Sequence, residues 1–312
     1  MFQLFKKRDF SDYVSDTFQF FRQTGKHYLK NYFTICGILL MVLAILTYFL
    51  FEIYFDFFLK FGRINNNFSF IQNFFENNAV ILIIGAIFIF LFIVLLSMLT
   101  YSVPVVYMDL YAKNNGDNFG TKEILAKFKA NFGRILIFFF GLIFIITPLL
   151  ILCFIPLALL CLIIIGIPLL LFAIPTALSW ITLSFYEYVN HEKPFFNALS
   201  SGFKHIKNQY FPNIGALIVM YIIVQIAMSV FTLFPYAFGM ASFLTSPRNG
   251  SAPEGALSTM KITMTIVMVI SILMSYILNN LLLINQGLVY YSRRDYDENI
   301  SSKDSIDLIG SE

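Results

Sequence analysis

The 312 residues are 58% hydrophobic and 18% aromatic but only 12% charged, with a mean hydropathy of +0.76. A soluble domain carries about 25% charged residues, so roughly half that share excludes an ordinary water-soluble globule and points to a polytopic membrane protein. The net charge of +3 gives no case for a nucleic-acid partner.

The chain begins with a basic triplet, Lys6-Lys7-Arg8, followed by a polar, aromatic stretch before the first long apolar run at Tyr32. A cleaved signal peptide would place its apolar core much sooner, so this N-terminus is expected to stay in the mature protein. Residues 10 to 30 read as an amphipathic helix. Phe10, Tyr13, Val14, Thr17, Phe18, Phe21 and Tyr28 recur at three-to-four spacing, with Asp12, Asp16, Arg22, Lys26 and Lys30 on the other faces. Such a helix suits the membrane interface, aromatics in the acyl boundary and Lys/Arg toward anionic headgroups. An ordinary helix packed on the bundle has the same pattern, and both readings stay open.

The first crossing is expected over about 33 to 57, ending near Glu52 and Asp56. A polar loop with Arg63, Asn65-Asn66-Asn67 and Asn77-Asn78 follows, then a second crossing from about 79 to 107. Lys113-Asn114-Asn115-Gly116-Asp117 is rich in turn formers. It leads to a short helix from Thr121 to Arg134, with Thr121 as N-cap and Glu123 suited to the first-turn dipole.

From Ile135 to Tyr186 there is no Asp, Glu, Lys, Arg or His. A charge at the bilayer centre costs roughly 2.5–3.5 kcal/mol on insertion scales, so this run is built for lipid. As one helix it would reach roughly 78 Å at about 1.5 Å per residue. A single crossing needs roughly 30 Å. The run is therefore a membrane hairpin, crossings three (about 135 to 153) and four (about 157 to 187), with its turn expected around Cys153-Phe154-Ile155-Pro156. Pro168 and Pro175, after Gly166, predict kinks or a broken segment in crossing four. A third short helix, Phe195 to Lys207, precedes crossing five (about 212 to 234). The loop 246–253 separates it from crossing six (about 260 to 290). One membrane domain is expected over 1–294, with a disordered cytoplasmic tail over 295–312.

Seventeen of the 21 Lys and Arg residues lie in segments 1–31, 111–135, 188–212 and 292–312. Only Lys60, Arg63, Arg248 and Lys261 fall on the other side. The positive-inside rule then places both termini in the cytoplasm, across an inner (plasma) membrane spanned six times.

The same order recurs three times: basic amphipathic helix, glycine-containing crossing, outer loop, returning crossing. Aligning Gly37, Gly141 and Gly215 brings Phe21, Leu125 and Leu199 into register, then Tyr28, Phe132 and Ile206. Lys26-His27 also matches Lys204-His205. Repeats over about 10–111, 121–188 and 195–291 are the expectation.

This pattern resembles the membrane domain found with some bacterial glycerophosphodiester phosphodiesterases, and related six-span families. Arg8-Asp9-Phe10-Ser11-Asp12-Tyr13 and Phe18-Gln19-Phe20-Phe21 also resemble membrane proteins of flavobacteria, which implies a bacterial source. The phosphodiesterase's soluble barrel, with its metal-binding carboxylates and histidines, is absent here, so the resemblance implies a fold and no activity.

Motifs for chemistry are sparse. His27, His191 and His205 form no HExxH and no paired-ligand spacing, and neither a phosphate loop nor a GxSxG elbow occurs. Cys36, Cys153 and Cys161 all sit in apolar runs without metal or disulfide spacing. No cofactor is expected. Glu52 and Asp56, four apart, share a helical face at the outer end of crossing one, fit to hold a cation, to relay protons or simply to be solvated. Asp109 and Glu187 stand at the inner ends of crossings two and four, where pairing with nearby Lys or Arg is expected. Ser271, Ser275, Asn279 and Gln286 make a polar stripe on crossing six, and Gln225 and Ser229 of crossing five are positioned to meet it. In lipid such a stripe has to face protein or water.

The sequence thus predicts an all-α, six-span protein with three interfacial helices, whose lipid contacts fall to Arg22, Lys26, Lys30, Lys127 and Lys204. Its expected role is a non-catalytic scaffold or accessory subunit, partnered by membrane lipids or a membrane protein. A small-solute or lipid transporter with a cavity lined by the stripe is the alternative, and an embedded enzyme comes third.

Overall fold

The computed structural model describes residues 2–63, 68–245 and 254–300. Of the polar loop expected after crossing one, residues 64–67 lie outside the described residues, as do residues 246–253 and those beyond 300, whereas Asn77-Asn78, expected in that loop, are helical. Among the described residues every regular element is a helix and there is no strand. The elements are α1 (Phe10–Arg63), α2 (Phe68–Lys113), α3 (Thr121–Ala130), α4 (Phe132–Gly141), α5 (Thr147–Leu160), α6 (Gly166–Asn190), α7 (Phe195–Asn208), α8 (Tyr210–Thr245) and α9 (Glu254–Glu298). Six stretches are long and apolar enough to cross a bilayer: Phe10–Phe55, Ala79–Lys113, Phe132–Leu160, Gly166–Asn190, Tyr210–Leu233 and Ser258–Glu298. The chain is a multi-pass membrane protein.

Its residues form two compact units. The first comprises Met1–Ile35, Met98–Val224 and Asn279–Glu312, the second Cys36–Ser97 and Gln225–Leu278.

The expected interfacial helix over residues 10–30 is not a separate element. It is the first half of α1, which runs unbroken for 54 residues, about 81 Å at 1.5 Å per residue. No proline interrupts it, and one buried stripe continues through Tyr13, Phe20, Tyr28, Tyr32, Cys36 and Leu40. Most of these aromatics therefore pack on protein, not lipid. Phe20 meets Phe2, Tyr107 and Tyr111 edge-on, and Tyr28 meets Tyr107 at 4.9 Å between ring centroids. Arg22, Lys26 and Lys30 are exposed. Large apolar side chains exposed along α1 are densest from Phe33 to Tyr54. That stretch spans about 32 Å, one hydrocarbon thickness.

The segment before α1 is pinned to the first unit. Arg8 is buried, its Nε 2.9 Å from Asp16 Oδ2, and its remaining nitrogens donate to the carbonyls of Gln3 (2.6 Å) and Leu4 (2.7 Å). Burial lowers the Arg8 guanidinium pKa from its ordinary value, and the hydrogen bond to Asp16 opposes that shift.

α3 starts one residue earlier than expected in capping terms. Gly120 occupies the cap, and the Glu123 carboxylate accepts its backbone N–H at 3.0 Å. Thr121 instead donates to Asn31 Oδ1 at 2.6 Å, tying α3 to α1.

The central hairpin turns later than the sequence suggested. α5 runs through Pro156, and the turn falls at Cys161–Ile165, with Ile164 in the left-handed region at φ 67°. The reason is Gly166: a Cβ there would run into the backbone of Leu157, Leu160 and Cys161. Close backbone approach needs glycine, whereas proline only bends a path that continues. Just before Pro148 the helix widens into a π turn, Leu142–Ile146, and Thr147 returns both its N–H and its hydroxyl to the Leu142 carbonyl. The extra residue absorbs the donor that Pro148 lacks. Pro168 and Pro175 leave α6 continuous over 25 residues. α9 persists to Glu298, past the break expected near Arg294.

Candidate functional site

The polar side chains of the first unit gather into a buried network across α1, α6, α8 and α9. Ser179 Oγ donates to Gln286 Oε1 at 2.6 Å, and Asn213 Nδ2 donates to Ser179 Oγ at 3.1 Å. Gln286 Nε2 reaches Asn213 Oδ1 and Asn285 Oδ1, each at 3.3 Å. Asn285 Nδ2 in turn donates to the Tyr13 carbonyl and to Thr17 Oγ1, both at 3.0 Å. The Tyr13 hydroxyl lies 3.2 Å from Gln209 Oε1 and 3.3 Å from Ser292 Oγ. Tyr28 donates to Asn280 Oδ1 at 2.5 Å, and Tyr101 is hydrogen-bonded to Asn279. A buried amide without partners costs about 1–3 kcal/mol, which is why these groups satisfy one another.

The polar stripe expected on crossing six divides in the structure. Gln286 and Asn279 join bonds between helices. Ser271 and Ser275 are half-buried and return their hydroxyls to their own helix, at Val267 O (2.6 Å) and Ile272 O (2.8 Å). Gln225 and Ser229 are exposed on α8, Ser229 bonding the Gln225 carbonyl at 2.8 Å. On crossing six the expectation of a partner on another helix therefore holds for Asn279 and Gln286 and not for the two serines. A serine on a helix satisfies its hydroxyl on the preceding turn. Sequence reasoning missed Ser179, Asn213, Asn280 and Asn285. The signal was present, since Asn279-Asn280 and Asn285-Gln286 are adjacent pairs that serve two faces of one helix.

The carboxylates near the ends of α2 and α6 share one arrangement. Asp109 of α2 makes an ion pair with Lys127 of α3, and with Lys113 at 3.0 Å. Glu187 of α6 meets His205 of α7 at 2.7 Å and Lys193 at 2.6 Å. Burial draws the Lys127 ammonium pKa down to about 8, while the adjoining carboxylate favours its charged form. Lys127 is thus an internal partner, not the lipid contact expected of it. Lys204 remains exposed.

Glu187 opens on a cavity of about 310 Å³, with His191, Lys193, Lys204 and His205 on one side and Arg294, Asp297 and Glu298 on the other. Burial also lowers His191 from its ordinary value. Three carboxylates balance three Lys and Arg side chains, so the cavity favours neither anions nor cations. His27 is held by the Tyr107 hydroxyl and the Phe119 carbonyl, both at 2.8 Å. Among the described residues no three His, Cys, Asp or Glu side chains come together to hold a metal ion.

The second unit holds a different feature. A groove of about 830 Å³ lies between the second half of α1 and the first half of α9, lined by Ala44, Ile45, Tyr48, Phe49, Ile262, Thr265, Ile266 and Ile270 among others. At one end stands a single ion pair, Lys261 Nζ to Glu52 Oε1 at 3.3 Å. The side chain of Asp56, expected to share a face with Glu52, lies outside the described residues. Compared with protein-family models, with curated proteins and with solved structures, the chain matches none of them.

Proposed function

We propose that the chain is a non-catalytic scaffold or accessory subunit of a bacterial inner membrane, interacting with lipid through its apolar surface and with both termini in the cytoplasm. The observation that carries this reading is the Ser179–Asn213–Gln286–Asn285 network. Its donors are spent on protein acceptors within one buried cluster, whereas a solute path needs a row of polar groups open to water. The two serines of crossing six likewise engage only their own helix.

The threefold plan gains support from the carboxylates. Asp109 to Lys127 and Glu187 to His205 are each 18 residues apart, and each joins the end of a returning crossing to the next short helix. The resemblance to the phosphodiesterase-associated membrane domain concerns this plan alone.

The test is accessibility at position 275, in a protein whose native cysteines are replaced by alanine. Ser275→Cys should resist a membrane-impermeant thiol reagent. Fast labelling in a well-folded sample would instead support the transporter reading. Reporter fusions at Asn66 and Asn249 should read as periplasmic, and those at Gly116, His191 and the C-terminus as cytoplasmic. A cytoplasmic signal at Asn249 would overturn the topology.

A further inference from the structure

We propose that the groove of the second unit seats one zwitterionic phospholipid with a primary-ammonium headgroup, its phosphate on Lys261 and its ammonium on Glu52. The inference rests on the lipid-interacting reading and names the lipid class.

The shape of the groove is amphiphilic along one axis. The described charged side chains on its wall stand at one end, and the remainder is almost wholly aliphatic and aromatic. From Lys261 to Ile270 is about 14 Å along α9, and from Glu52 back to Ala44 about 12 Å along α1. Half of a hydrocarbon core is about 15 Å, so the groove matches the depth of one leaflet. Charged side chains at membrane depth are costly and mark sites of function. This pair sits where a headgroup meets its acyl chains.

The pair also selects among headgroups. Both signs are reachable, the Glu52 side chain being 41% exposed and Lys261 23%. An anionic headgroup with no cation satisfies Lys261 but sets its negative charge beside Glu52, and like-charge juxtaposition is a strong discriminator. A quaternary ammonium brings the charge without N–H donors. Of these headgroups a primary ammonium alone gives Glu52 an N–H donor that itself carries positive charge while the phosphate takes Lys261; a headgroup hydroxyl donates without offsetting the carboxylate's charge.

Native mass spectrometry of the full chain in detergent, titrated with phosphatidylethanolamine, phosphatidylcholine and phosphatidylglycerol, tests this. Phosphatidylethanolamine should bind about tenfold more tightly than phosphatidylglycerol, the factor carried by one hydrogen bond to a charged group. Glu52→Gln should erase that gap, and Lys261→Gln should weaken all three lipids. Ala44→Trp, which fills the apolar end and leaves the ion pair intact, should weaken phosphatidylethanolamine binding. Equal affinities in the unaltered protein, or a preference that survives Glu52→Gln and Ala44→Trp, would overturn the site. Lipid selectivity lost while Ser275→Cys stays unreactive refutes the lipid site and leaves the scaffold reading standing. Selectivity retained with fast labelling at 275 does the reverse.

Discussion

The two units bury different things. The first buries two arginines, Arg8 and Arg293, several carboxylates, five side-chain amides and a set of tyrosines, including Tyr13, Tyr28, Tyr107, Tyr186, Tyr290 and Tyr291. The second, like the lipid hairpin of the first, turns out large apolar side chains such as Ile38, Met41, Val80, Ile81 and Ile266, but among its described residues the buried polar groups are Thr47 and Thr265. The contrast follows from the solvent. Lipid tails are as apolar as Leu, so apolar surface gains little by packing inside a bilayer, and helices there are held by van der Waals fit and by hydrogen bonds between them. Where water competes, sequestering aromatics becomes favourable again. The first unit accordingly carries the specific contacts, and equivalent substitutions should cost more there than in the second.

The largest effect is expected at Arg8–Asp16. Asp16→Asn removes the charge opposite a buried guanidinium while nearly keeping its volume. Breaking a buried pair this way costs about 3–5 kcal/mol, and the Gln3 and Leu4 carbonyls place this one at the low end. Thermal unfolding in detergent should show the loss, and an unchanged transition would remove the N-terminal segment from the folding core.

Next comes the α6–α7 crossing. A Cβ on Gly202 would lie 2.7 Å from the Ser184 backbone nitrogen and 2.9 Å from its Cα, so Gly202→Ala has to push α7 off α6. Overpacking of this kind costs about 1–3 kcal/mol. Trp180, the one tryptophan of the chain, reports it directly, because its indole donates to the Leu199 carbonyl on α7 at 2.8 Å. A red-shifted emission is expected. Emission that does not move would mean the helices separate elsewhere.

Much of this organisation was legible in the sequence, for a reason. Lipid-facing surface is encoded by composition over twenty or more residues, so six spans and their approximate ends could be read without knowing any contact. The inner carboxylates were legible too, since Asp109 and Glu187 each stand among basic residues. What could not be read depends on partners. The pattern of residues 10–30 is the same for a helix lying on lipid and for one packed on protein, and only the rings around Phe20 and Tyr28 decide between them. The prolines are the conspicuous turn signal in the hairpin, while the close approach at Gly166 has no local signature. Glu52 and Lys261 are separated by 209 residues, and nothing in either neighbourhood announces the other.

A third substitution probes the network itself. Gln286→Leu leaves Ser179, Asn213 and Asn285 each short of one partner. Interhelical hydrogen bonds in membrane proteins are worth about 0.6 kcal/mol on average and about 1.7 at most. The expected loss lies in that range, read from the shift in unfolding midpoint. A loss well above it would mean that water enters around the orphaned amides and loosens α9 as a whole.

The smallest effect is expected at Ser271 of the second unit, and it is the sharpest check on the comparison. Its hydroxyl already bonds Val267 O on its own helix at 2.6 Å, a contact that neighbouring helices neither provide nor need. Ser271→Ala removes the hydroxyl together with its demand for an acceptor, while the Val267 carbonyl keeps its backbone donor. Such self-contained bonds slightly destabilise helices if anything, so the unfolding midpoint should stay unchanged or rise by a few tenths of a kcal/mol equivalent. Gln286→Leu, fifteen residues along the same helix, should lower it measurably. If Ser271→Ala were to cost as much as Gln286→Leu, the second unit would depend on polar contacts between helices as the first does, and the division drawn between them would fail.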